Sequence, residues 1–181
     1  MWTLRLSVTG TIILMLLAGP GGAVVAADEE ALASDRPHQV SGTNAYAGVF
    51  ENATFGYEDG RVLERGEGAY DTIEMDDARL SGTLWHVWNR DYLGDGEVLT
   101  GTVELVNEGG TWVGTMRGYK AYEPDEHLHY WQVELTGTGA YEGYSALLYF
   151  RGVTYYTLAV EGYIFPGELP DYPGPVEVPA Q

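Results

Sequence analysis

The stretch Leu135-Thr136-Gly137-Thr138-Gly139-Ala140-Tyr141-Glu142-Gly143-Tyr144 constrains the fold of this chain more than any other. It is the densest instance of a Gly-Thr punctuation that recurs at Gly42-Thr43, Gly82-Thr83, Gly101-Thr102 and Gly114-Thr115. Each copy lies in or beside a run of β-branched and aromatic residues. Glycine weakens a strand interior, so its repetition signals tight bends, bulges or bulky cross-strand neighbours. A small, strongly curved antiparallel barrel needs such bends at strand after strand. The pattern speaks to architecture and not to chemistry.

Period-2 alternation assigns strand character to 40–50, 62–75, 79–91, 98–107, 112–122, 127–136, 144–153 and 154–165. Turn residues separate most of these runs, at Glu58-Asp59-Gly60, Gly94-Asp95-Gly96, Glu108-Gly109-Gly110 and Glu123-Pro124-Asp125. The last two runs have no clear turn between them and read equally as one long bent strand. No stretch after residue 27 shows a helical period. The expectation is an all-β domain over 40–165, a single antiparallel meander closing into a small barrel of about eight strands. An acidic mobile leader (28–39) and a tail with five prolines (166–181) flank it.

Alternation also predicts which side chains share a face. In 79–91, Leu80, Gly82, Leu84, His86 and Trp88 fall on one side, and in 127–136 the matching set is His127, His129, Trp131, Val133 and Leu135. Trp112, Gly114, Met116 and Gly118 form the corresponding face of 112–122. If the interior is hollow, His86, Trp88, Trp112, His127, His129 and Trp131 are the expected pocket residues, indole and imidazole rings at one end and small aliphatics at the other. Apolar walls with a few orienting polar groups are the usual make-up of a small-molecule site.

Residues 1–27 read as a secretory signal peptide: Arg5, an apolar run, a Gly19-Pro20-Gly21-Gly22 break and small residues at Val25-Ala26-Ala27. The alternative is a retained anchor, since no charge falls between Leu6 and Ala27. The expected location is therefore secreted, periplasmic or extracellular, with no integral membrane segment after cleavage. The chain has no cysteine, which excludes disulfides, thiolate catalysis and Cys-ligated zinc. Its formal net charge is −18 with a single lysine, Lys120, and such a surface repels nucleic acid and anionic membranes.

The run Leu135–Tyr144 with the apolar strand that follows resembles the Gly-Gly-Ser/Thr-Gly-x-Phe/Tyr-x-Gly hairpin of the allene oxide cyclases and the related dirigent proteins. The marks Leu80-Ser81-Gly82-Thr83, Asn107–Thr115 and Gly137–Gly143 are similar to those of uncharacterised secreted bacterial proteins of the same kind. The resemblance implies a calycin-like barrel. In the cyclases it implies ring closure of an unsaturated epoxide held inside the barrel, but no residue of that chemistry maps onto 40–60, so no catalytic role is carried over.

The remaining candidates are weaker. His127 and His129 share a strand face and form a possible zinc or copper pair with Glu126 or His86, set against two rim histidines packing on Trp131. Asp91, Asp95 and Glu97 make an acidic turn without EF-hand spacing, and Glu123, Asp125 and Glu126 make a second. Glu104, Glu134 and Glu161 are strand carboxylates that would serve acid–base chemistry only if they faced one another. Gly137-x-Gly139-x-x-x-Gly143 is not a dinucleotide fingerprint, because a strand follows it. No cofactor motif is found. Three functions follow: a non-catalytic binder of a small apolar or amphipathic ligand, a cyclase- or isomerase-like enzyme using the same cavity, and a carbohydrate- or surface-binding module using exposed Tyr and Trp.

Overall fold

A computed structural model of the chain describes residues 36–123, 127–154 and 156–170. Its strands in chain order are β1 (His38–Glu51), β2 (Thr54–Glu58), β3 (Arg61–Met75), β4 (Gly82–Tyr92), β5 (Gly96–Val106), β6 (Gly110–Tyr122), β7 (His127–Gly139), β8 (Tyr144–Gly152) and β9 (Thr157–Pro166). All pair antiparallel in one nine-stranded sheet, a meander from β2 to β9 with β1 beyond β9. β1 pairs with β9 on one side and with β3 on the other, so β1 and β3 to β9 are joined in a ring. β2 stands outside this ring, hydrogen-bonded to the start of β3. The sole helical element among the described residues is a 3-10 turn, Ala78–Leu80, and no helix there is long and apolar enough to cross a membrane.

The all-β expectation therefore holds, with corrections at particular elements. The 79–91 run opens with the 3-10 turn, because the Asp77 carboxylate accepts from the Arg79 N–H and caps it. β8 and β9 are two strands, not one bent one. β1 begins at His38, which pairs with Ile164, so the last residues of the expected leader belong to the sheet. The expected signal segment, most of the leader and residues 171–181 of the tail lie outside the described residues.

Alternation sends one face of every ring strand inward. Leu84, Trp88, Leu99, Leu105, Trp112, Trp131, Leu135, Leu148, Phe150, Val160 and Ile164 are buried together there. The interior glycines sit where this face is most crowded. Gly101 lies directly opposite Trp88, Gly118 opposite Trp131, and Gly137 opposite Trp112. A Cβ at Gly118 would stand 2.1 Å from the Tyr130 carbonyl oxygen, so only glycine lets the two strands approach this closely. At Gly101 and Gly137 the Gly-Thr punctuation thus encodes close strand contact beneath indole rings, and Gly118 does the same without a following threonine.

Candidate functional site

One end of the ring is closed by hydrogen bonding. Asn107 donates from Nδ2 to the carbonyl oxygens of Arg79 and Ser81, and its Oδ1 accepts from the Gly109 and Gly110 N–H groups and the Tyr141 hydroxyl. Trp112 donates from its indole to the Arg79 carbonyl at 2.8 Å and stacks on Tyr141 with ring centroids 5.1 Å apart. Arg79 and Asp77 form a buried ion pair beside it at 2.6 Å. Burial raises the Asp77 carboxyl, but the Arg79 hydrogen bonds and charge outweigh this and leave it below its usual range. The Gly137–Tyr144 segment builds this closed end, where its role is structural.

The middle of the interior is aromatic and polar. His86 lies 4.5 Å from Trp88, Trp88 meets Trp131 edge-on at 5.5 Å, and Trp131 neighbours His129 and Phe150. Asp71 accepts a hydrogen bond from Asn44 at 2.9 Å and faces His86 Nε2 at 3.3 Å. All three of these polar residues are buried. His86 Nδ1, Asn44 Oδ1 and Trp131 Nε1 have no hydrogen-bond partner among the described residues, which marks an interior whose polar capacity is not met by protein.

The opposite end is an ionic mouth. Arg90 reaches Glu64 and Glu67, each at 2.5 Å, and lies 3.9 Å from Glu97. Lys120 is 3.7 Å from Glu97. Tyr92 donates to Glu64 at 2.6 Å and Tyr122 to Glu97 at 2.5 Å. Burial and these carboxylates push both phenol pKa values up. Glu67 is raised by burial and by its hydrogen bond with Glu64, against the pull of Arg90. A crevice of about 450 Å³ opens on this end, lined by Leu93, Glu97, Tyr119, Lys120 and Tyr122.

A β-bulge brings Glu64 and Glu67 to one face. The register passes from Arg65 opposite Asn89 to Glu67 opposite Trp88, leaving Gly66 extra, with φ of 74° and its N–H donated to Asn89 Oδ1. A Cβ at Gly66 would meet nothing within 4 Å, so any cost of replacing it is purely conformational. Gly66→Ala is expected to cost about 1 kcal/mol of unfolding free energy from the left-handed backbone alone. Urea unfolding measures this, and an unchanged midpoint would mean that the bulge relaxes.

The structure disperses the sequence-predicted residues along the interior. His86, Trp88, His129 and Trp131 are buried in its middle and Trp112 at its closed end. His127 is exposed, a correction to its expected inward place. It pairs with Tyr122 at the strand ends, beyond the depth that the ring encloses, and packs edge-on against that ring at 4.9 Å. Glu134 and Glu161 face outward on ion pairs with Arg117 and Arg151, and Glu104 is exposed, so these three carboxylates do not converge. Asp91 pairs with Arg61 and Arg65 while Glu97 turns inward, which divides that acidic turn. Asp125 and Glu126 of the other turn lie outside the described residues. Among the described residues no three His, Asp or Glu side chains are grouped to hold a metal ion.

On the outer wall, Trp85 stacks on Tyr70 at 4.9 Å and meets Phe50 edge-on at 5.5 Å. A groove of about 430 Å³ runs past Phe50, Trp85, Val87, Glu104 and Val113. Comparison of the chain with protein-family models, with curated proteins and with solved structures returned no match.

Proposed function

We propose that the paired ring is a calycin-like barrel, secreted or periplasmic, that binds a small amphipathic molecule at its ionic mouth without transforming it. Supporting the closure is the double pairing of β1, with β9 and with β3. The observation that carries the binding reading is the mixture at the mouth. Buried Glu97 and half-buried Lys120 and Tyr122 meet exposed Leu93 and Tyr119 around a crevice of about 450 Å³, within the size range of small-molecule sites. Polar groups fixed by hydrogen bonds beside apolar walls orient a ligand that has both characters.

The test is intrinsic tryptophan fluorescence during titration with small amphiphiles. Trp88 contacts both the Arg90 guanidinium, at 4.8 Å, and Trp131, so filling the mouth is expected to shift the emission. Leu93→Asp, at an exposed crevice position, is expected to weaken binding several-fold by removing apolar contact. Emission that ignores every amphiphile below micelle-forming concentrations would overturn the proposal. The outer Phe50–Trp85–Tyr70 cluster favours a second reading, a surface-binding module for carbohydrate. Retention on an insoluble polysaccharide that is lost in Trp85→Ala would select it.

A further inference from the structure

We infer that β2 is an association edge, on which a second copy of this chain adds its own β2 antiparallel about a two-fold axis at Gly56. This association does not depend on the mouth being a ligand site.

β2 is the end strand of the sheet and pairs, among the described residues, with β3 alone. Natural sheets guard such an edge with lysine, proline or a bulge. β2 has neither lysine nor proline, its register with β3 runs without a shift, and its one charge, Glu58, sits at its end. In its middle, Phe55 and Tyr57 are 71% and 75% exposed. His38 and Pro166, where the described strands begin and end, lie together at the closed end, away from this edge.

The edge is complementary to itself in its hydrogen bonds. Asp59 and Gly60 have φ of 47° and 80°, the two-residue turn that joins Glu58 to Arg61 by a backbone hydrogen bond. Pairing alternates from there. Thr54, Gly56 and Glu58 aim their backbone groups at β3, and Phe55 and Tyr57 aim theirs at the open edge. A second β2 centred on Gly56 sets Phe55 against the partner's Tyr57, and Tyr57 against the partner's Phe55. Both are pairs that exchange N–H and C=O, so the open backbone groups of Phe55 and Tyr57 are all met.

The side chains agree with that register. One face reads, in order across the strands, Val62, Tyr57, the partner's Phe55 and the partner's Glu64, so the exposed rings cover one another. The other face reads Arg61, Glu58, the partner's Thr54 and the partner's Arg65, which sets each glutamate between arginines of the two copies. Moving the axis to Phe55 would set Glu51 against the partner's Asp59, and moving it to Tyr57 would set Phe55 against the partner's Asp59. The hairpin Thr54–Arg65 carries two arginines against three acids, a net charge of −1, whereas the whole chain carries −18. The edge itself therefore adds little to the repulsion between copies. The four rings bury about 600 Å² at most. A stable complex takes roughly 1,200 Å² or more, so the association is weak and reversible.

The experiment exploits a chain without cysteine. At Gly56→Cys the added Cβ meets only Leu63, at 4.0 Å, and the two thiols face each other across the axis. The Cα atoms of such a pair lie about 4.5 Å apart, within disulfide reach. Mild oxidation of the folded protein is expected to give mostly cross-linked dimer. Glu58→Cys points to the same face, but its counterpart lies about 13 Å away along the strand, so it should stay a monomeric thiol. Sedimentation of the parent protein in about 0.5 M sodium chloride, which screens the repulsion, should show a mass that rises with concentration. Tyr57→Lys should weaken the association about tenfold or more. Tyr57→Pro should do the same and keep the hairpin, because the lost N–H faces the open edge. Tyr163→Lys, at an exposed position on β9, should leave the association unchanged. Equal cross-linking of Gly56→Cys and Glu58→Cys, or none in Gly56→Cys, would overturn the proposal. So would a loss in Tyr163→Lys matching that in Tyr57→Lys, or a parent chain that stays monomeric up to about millimolar concentration.

Discussion

Trp112→Ala is expected to remove about 3–5 kcal/mol of unfolding free energy, the range for deleting a buried large aromatic side chain. Trp112 is completely buried, and two separate contacts end on its indole. Its ring stacks on Tyr141, its N–H reaches the Arg79 carbonyl, and its strand lies against Gly137, where no side chain can fill the space left behind. A Cβ at Gly137 would come within 2.1 Å of the Tyr141 carbonyl oxygen, so the cavity cannot collapse from that side. Trp112→Phe keeps most of the stacking and loses the hydrogen bond. The Arg79 carbonyl still accepts from Asn107 at 3.0 Å, so this change should cost about 1–2 kcal/mol. Trp85→Ala, on the partly exposed outer wall, should cost less than Trp112→Ala. Chemical unfolding of the three variants checks the order, and equal costs for Trp85→Ala and Trp112→Ala would refute the closed end as the firmer element.

The strands were legible because one face of each is buried, which writes period 2 into the chain. The Gly-Thr repeats carried more than strand positions, since two of their glycines, Gly101 and Gly137, lie opposite Trp88 and Trp112 and set how closely the wall can coil. β2 left no such mark. All five of its residues are exposed, so neither face selects apolar side chains and Thr54–Glu58 reads as loop. The 3-10 turn at Ala78–Leu80 was hidden for the opposite reason, because buried Leu80 extends the alternation of β4 backward.

Much of the mouth was not legible. Strict alternation places Glu64 and Glu67 on opposite faces, and the bulge at Gly66 reverses that parity. The signal that could have revealed it is the lone glycine in Glu64-Arg65-Gly66-Glu67, a bulge marker inside a strand. Asp71 and Asn44 were missed because a polar residue on an inward face looks like an error in the pattern, and only the three-dimensional pairing with His86 explains both. His127 shows the remaining limit. Alternation reports which side of a sheet a residue faces, but not how far along the strand the enclosed interior ends.

His129 should give the protein a steep acid limit. Its imidazole is 1% exposed, and burial, followed by the charges of Lys120 and His127, lowers its pKa to about 4. The unfolded chain has an ordinary histidine with pKa near 6.5. Above that value the residue is neutral in both states, and the stability associated with its neutral burial is fully present. As pH falls from about 6.5 to about 4 the unfolded chain takes up a proton that the folded chain refuses, so stability drops by about 1.4 kcal/mol per pH unit. The loss reaches about 2.5 kcal/mol by pH 4.5. Glu67 acts in the opposite sense over part of this window, because the folded protein holds that carboxyl proton to higher pH than the unfolded chain does. A single pH profile would therefore mix the two groups, and the comparison must be made against His129→Gln, which is neutral throughout. Urea unfolding at pH 7.5 and pH 4.5 should show a larger loss for the parent chain than for His129→Gln, by about 2.5 kcal/mol. Equal losses would mean that His129 charges in the folded state, and the middle of the interior would then have to be far wetter than its burial implies.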